Sequence, residues 1–238
     1  MAVVDESWDA QVSAVAALGE PTRRRAYEHV VRQPVPVSRD EVAAALKLPR
    51  TTAAFHLDRL VDERLLVVVH ERRTGRSGPG AGRPSKLYHR SPDQIAVSLP
   101  ERRYDLAGQL LADAVQEAEQ SGEPPRTVLH RRAREVGREL GEAARGGQPG
   151  GGDPRALPAS LAASLAAYGF EPRVGDDGIS LTNCPFHTLA RRHTDLVCGM
   201  NLCLLEGLLD GIGRTDLTAR LRPAPGHCCV RFEPAADA

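Results

Sequence analysis

Cysteine occurs five times in the chain, at Cys184, Cys198, Cys203, Cys228 and Cys229, and nowhere in the first 183 residues. Thiolates ligate zinc and iron–sulfur clusters and also serve as redox groups. Crowding all of them into the last quarter of the chain predicts one local site rather than a scattered framework. The opening "MAVVDESWDA" has neither a basic segment nor an apolar run of the kind a signal peptide carries. The expected compartment is therefore the reducing cytoplasm, where an odd number of cysteines points to metal or redox chemistry rather than to disulfides.

Spacing and helical geometry sort the five. Cys198 and Cys203 lie on one predicted helix, about 140° apart around its axis, so they do not readily share a site. Cys203 aligns with Gly199, Glu206 and Asp210 and is read as a non-ligand. Cys198 follows Thr194, an expected N-cap, where the helix dipole favours a thiolate. Neighbouring residues on a strand face opposite ways, so Cys228 and Cys229 serve one site together only if a bulge intervenes. Cys228 shares parity with Val230 and Phe232, and Cys229 with His227 and Arg231; both stay candidates. His187, on the helical face of Cys184, is a candidate fourth ligand, with His193 and His227 behind it.

These residues need elements to hold them. Helical periodicity covers Glu101 to Gln120 and a following stripe of Leu129, Val136, Leu140 and Ala143. After the Gly/Pro-rich "GGQPGGGDPR", read as a linker, come a short helix from Leu157 and a hairpin turning at Gly175-Asp176-Asp177-Gly178. Helices are expected over Cys184 to His193 and Asp195 to Ile212, then two closing strands in "LTARLRP" and "HCCVRFE".

The front of the chain reads differently. Pro21 starts a helix, and Ser38 caps another with Glu41 completing a capping box. "LKLP" turns into a third helix through about Glu63, with Ala53, Leu57, Leu60 and Val61 on its core face. That leaves Arg50, Thr51, Thr52, Phe55, His56 and Arg59 outward, side chains suited to phosphates and base edges in a major groove. Phe55 either meets a thymine methyl or packs on a neighbouring helix. Two strands, "LLVVVHE" and "SKLYHR", flank a loop, and the stretch from His70 to Arg90 carries Arg72, Arg73, Arg76, Arg83, Lys86 and Arg90 against the single acid Glu71. Net charge over the chain is zero, so nucleic-acid affinity has to come from such a local patch. With only Lys47 and Lys86 as lysines, arginine richness by itself is no sign of DNA binding.

Helix, turn, helix and hairpin in that order is the layout of a winged helix, and "RTTAAFHLDRLVDERLL" resembles the ArsR-like winged helix-turn-helix of bacterial transcription regulators. Farther on, "NCPFHTLARRHTDLVCGMNLCLLEGLL…GHCCVRFE" resembles the C-terminal cysteine region of SufR-like regulators, winged-helix repressors of iron–sulfur assembly genes. The resemblance implies an iron–sulfur cluster, 4Fe-4S or 2Fe-2S, with the family's three cysteine positions falling on Cys184, Cys198 and one of Cys228 or Cys229. The same stretch is similar, more distantly, to V4R domains, which bind small molecules and in some cases zinc.

The expected fold is α+β: a winged helix-turn-helix over 1–98, central dimerisation helices over 99–145, a linker over 146–155 and a small α+β sensor domain over 156–238. The expected function is a dimeric regulator, a repressor, on palindromic double-stranded DNA. The alternative is a zinc-braced regulator answering to a small molecule, and free thiols or a disulfide switch remain open. No Ser/His/Asp set, phosphate loop or HExxH motif is present, and a nucleophilic Cys198 beside His187 would lack an orienting third residue, so no enzyme is expected. No apolar run approaches membrane-spanning length.

Overall fold

The computed structural model describes residues 8–71, 84–146, 157–175, 178–213 and 216–235. It divides into two compact units, residues 1–97 and 98–238.

The first unit contains α1 (Trp8–Ala17), α2 (Pro21–Val31), β1 (Val37–Ser38), α3 (Arg39–Leu46), α4 (Arg50–Asp62), β2 (Leu66–Glu71) and β3 (Ser85–Arg90). Local chemistry sets these boundaries. Glu20 caps α2 ahead of Pro21 by accepting from the Thr22 and Arg23 backbone N–H groups. The Ser38/Glu41 capping box opens α3, and Lys47, at a left-handed φ of 56°, closes it and turns the chain toward α4. β3 pairs antiparallel with β2 from Leu66–Arg90 to Glu71–Ser85, and β1 adds on its other edge through Val37–Tyr88. Ala26, Val30, Val42, Leu57, Leu60 and Leu66 fill the core beneath.

The second unit runs through α5 (Tyr104–Ser121), α6 (Pro125–Gly146), α7 (Leu157–Ala167), β4 (Pro172–Gly175), β5 (Gly178–Leu181), α8 (His187–Arg192), α9 (Thr194–Ile212), β6 (Leu217–Leu221) and β7 (Val230–Pro234). Its antiparallel sheet has the order β4-β5-β7-β6. One face, with Ile179, Leu181, Ala219 and Phe232, meets the helices in a single core that takes in Leu110, Leu129, Leu161 and Leu205.

That single core departs from the expected division into dimerisation helices, linker and sensor domain. The reason is backbone contact between α6 and α9, which run parallel. A Cβ added at Gly137 would stand 1.9 Å from the Leu204 carbonyl oxygen, and one at Gly207 2.1 Å from that of Arg134. Only glycine permits so close an approach. The stripe of α6 expected to meet a second copy is correspondingly used inside the chain: Leu129 is buried, and Val136 and Leu140 pack against the core. Arg134 fastens the same pair of helices from outside, through Glu206 at 3.2 Å and Asp210 at 2.8 Å. No helix among the described residues is long and apolar enough to cross a membrane.

Candidate functional site

In the first unit, α4 stands on Ala53, Leu57 and Leu60, all fully buried. The opposite side presents Arg50, Thr51, Phe55 and Arg59 to solvent, with Thr52 half-buried. Phe55 is 64% exposed, which leaves it on the outer face rather than packed on a neighbouring helix. His56 is a correction to the outward set. It is 7% exposed and its ring turns to Glu20, Nδ1 to Oε2 being 3.4 Å, so it belongs to the packing under α4. The exposed arginines are engaged by acids in the free protein, Arg50 with Asp40 at 2.9 Å and Arg59 with Glu63 one turn on. Lys86 is tied as well: it and Tyr88 both donate to Oδ1 of Asp58, joining the hairpin to α4. Arg72, Arg73, Arg76 and Arg83 lie outside the described residues.

In the second unit four thiols come together from three segments. Cys184 sits in the connection between β5 and α8, Cys198 in the second turn of α9, and Cys228 and Cys229 just before β7. Cys184 neighbours Cys228, which neighbours Cys229, which in turn lies beside Cys198. The expected choice between Cys228 and Cys229 rested on strand alternation, but the strand begins only at Val230. Here the chain makes an irregular bridge: Cys228 N–H donates to the Leu181 carbonyl at 2.8 Å, and the Cys229 carbonyl accepts from Arg222 N–H at 2.7 Å.

Contacts between the thiols, together with burial, govern the ionisation of Cys184, Cys228 and Cys198. Its neighbour Cys228, together with burial, pushes the Cys184 thiol far above the ordinary range. Cys184 in turn favours ionisation of Cys228, yet Cys229 and burial oppose it and push Cys228 up to about 12. Burial likewise raises Cys198, with Cys229 working the other way. The thiolate expected from a helix N-terminus at Cys198 is therefore corrected: α9 starts at Thr194, and desolvation outweighs the dipole one turn in.

Two amides support the group. Asn201 is 1% exposed and its Nδ2 donates to Cys228 Sγ at 3.3 Å, while its Oδ1 has no hydrogen-bond partner. Asn183 bonds the Gly169 carbonyl at 2.6 Å, and Arg102 bonds both the Asn183 side chain and the Cys184 carbonyl, fixing the Cys184 loop. His187, His193 and His227 are all exposed and stand outside this buried set. Cys203, half-buried, faces Glu206 and Arg134 instead. Among the described residues no three His, Cys, Asp or Glu side chains are arranged to hold a single metal ion as they stand. By donor chemistry the set of four thiols suits a thiophilic centre.

Residues 18–69 match the family described as Helix-turn-helix domain. The match spans α2, α3 and α4 and reaches into β2, so the chain carries the DNA-reading unit of a transcriptional regulator. No curated protein and no solved structure matches the chain.

With α4 as the second helix of the helix-turn-helix, its outer face is the one that meets base edges in this kind of domain. Asp58 and Asn201 escaped the reading of the sequence. Asp58 looks like one more solvated acid until β3 is placed beside it. Asn201 did leave a signal, being the polar position on a stripe with Val197, Leu204, Leu205 and Leu208.

Proposed function

We propose that this regulator is a repressor that binds palindromic double-stranded DNA as a homodimer and senses iron–sulfur status through its cysteine group. The observation that supports it is the meeting of four thiols from three chain segments, one of them, Cys228, bonded by a buried amide with an unsatisfied oxygen. Buried cysteines are ordinary core residues, but an orphaned buried acceptor beside them is costly without a role. Cys184, Cys198 and one of Cys228 or Cys229 would hold the cluster. A bound cluster would supply a redox- and iron-sensitive state, with one iron not held by a cysteine.

The chain's own residues prepare that site. Arg102 and Asn183 hold the Cys184 loop, and Asn201 orients Cys228 by donating to its sulfur. Loading requires the thiols to lose their protons, which the raised pKa values of Cys184, Cys198 and Cys228 oppose, so metal affinity rises with pH. For DNA affinity to follow, the loaded and empty forms must favour different arrangements of two helix-turn-helix units. The presence of a fourth thiol beside the other three favours a second reading, a closed zinc site that braces the unit while a small molecule acts as effector.

The deciding experiment is metal and acid-labile sulfide content, with the absorption spectrum, on protein purified without oxygen. Iron with sulfide is expected, lost in Cys198→Ser and kept in Cys203→Ser. Zinc without sulfide would establish the brace. A protein without either metal, or one unaffected by Cys198→Ser, would end both readings.

A further inference from the structure

A cavity of about 770 Å³ opens on the sheet of the second unit, between the β4–β5 hairpin and the connection from β6 to β7. Its lining is chemically two-sided. Arg173, Arg222 and Arg231 bring guanidinium groups, while Val174, Leu221 and Val230 bring apolar surface. Val174 is 58% exposed and Leu221 43%, so both offer apolar surface to an occupant.

The charges are unbalanced. Arg231 lies directly opposite Arg220 on β6, a like-charge cross-strand pair that costs stability. Glu233 is the one carboxylate lining the cavity among the described residues. Arg222 bonds it at 3.0 Å, with Arg231 at 4.0 Å, and these cations lower its pKa. Arg173 is exposed and has no ion partner among the described residues. Among the described residues, then, one carboxylate and three arginines, Arg173, Arg222 and Arg231, line a hollow large enough for a metabolite-sized ligand.

We propose that this cavity binds a small organic anion, a carboxylate or phosphate ester carrying a short apolar body. The arginines take the head, forked guanidinium to oxyanion, and Val174 and Leu221 cover the body. An incoming anion would offset the Arg220–Arg231 repulsion and compete with Glu233 for Arg222. Cys228 also lines the cavity, so occupancy would press on the segment that carries two of the four thiols. The proposal does not rest on a metal at those thiols, and it holds whichever reading of the cysteine group survives.

The test is calorimetric titration of the full chain with hexyl phosphate and, in parallel, with inorganic phosphate. Hexyl phosphate is expected to saturate a single site and inorganic phosphate to bind at least about tenfold more weakly. Arg173→Ala, on an exposed edge strand, should weaken hexyl phosphate about tenfold. Glu233→Gln, which removes the competing carboxylate, should tighten it several-fold. Arg50→Ala with Arg59→Ala, in the DNA-reading unit, should leave it unchanged. Absence of saturable binding, equal affinity for inorganic phosphate, or indifference to Arg173→Ala would overturn the proposal, as would a loss confined to the Arg50/Arg59 variant. The same titration on Cys198→Ser keeps its result separate from the fate of the metal.

Discussion

Lys86 on β3 and Tyr88 two residues on both donate to one oxygen of Asp58 on α4, the Tyr88 bond being 3.0 Å. The hairpin and the recognition helix are thereby joined by a carboxylate on the exposed side of the unit. Burial works against ionisation of Asp58, but the bonds from Lys86 and Tyr88 outweigh it and lower its pKa. A carboxylate with a lower pKa folded than unfolded adds stability above its unfolded value and loses it as pH falls through the folded one. Both side chains are about half exposed, 45% for Lys86 and 51% for Asp58, which discounts the pair to about 0.2–1 kcal/mol. Urea titration of Asp58→Asn should show that loss at neutral pH and none once the pH is below the aspartate range. A difference persisting in acid would mean that the hydrogen-bond geometry matters and the charge does not.

The α6–α9 contact makes a sharper prediction. Gly207→Ala places a methyl against the Arg134 carbonyl and the Arg138 backbone, where no side-chain rotation relieves it. Overpacking of this kind costs about 1–3 kcal/mol and here should reach the upper end. Gly108→Ala is the control: nothing lies within 4 Å of the added atom on α5, and the change should stabilise by about 0.5–1 kcal/mol. Denaturant midpoints read both. Equal effects would show that α6 and α9 do not lie backbone to backbone.

What the sequence disclosed tracks how local the cause is. The Ser38/Glu41 box, the Pro21 start and the extent of β3 depend on neighbours within a turn or two, and all three stand as read. His56 was legible by period, since Ala53, His56 and Leu60 fall on one stripe, yet its polarity argued for the outer face. Burial settled the matter because Glu20, a helix cap from elsewhere in the chain, offers it a carboxylate. The joining of α6 to α9 depends on glycines that meet backbone some seventy positions away, as Gly137 meets Leu204 and Gly207 meets Arg134, which no single helix pattern contains. The gathering of both Cys228 and Cys229 depends on where β7 starts, which is set by pairing with β6 and β5 rather than by the cysteines.

The recognition helix separates reading from packing. Arg59→Ala, on the outer face, should weaken binding to duplex DNA selected by the protein from a random pool by about 1–3 kcal/mol, with relaxed sequence preference if it reads a base. His56→Ala should lower the melting temperature and leave the affinity of the folded protein near that of the parent. Fluorescence anisotropy across a salt series, alongside thermal melts, distinguishes the two. Loss of sequence preference in His56→Ala with unchanged stability would return His56 to the DNA face.

Asn201 offers a test in which stability and metal retention should part company. Its Oδ1 is buried without a partner, and its Nδ2 spends a hydrogen bond on a cysteine sulfur. If the side chain were merely structural, replacing it by leucine of similar volume would remove an unsatisfied acceptor and leave the fold equally stable or firmer. If it positions Cys228 for a metal centre, the same substitution should weaken metal retention by about 10–100-fold, the usual cost of losing a supporting hydrogen bond to a ligand. On the proposed metal-site reading, Asn201→Leu unfolds no earlier than the parent in the metal-free state, and protein loaded with metal gives it up to a competing chelator at lower chelator concentration. Unchanged retention would reduce Asn201 to a packing residue and remove the main support for a centre at these cysteines.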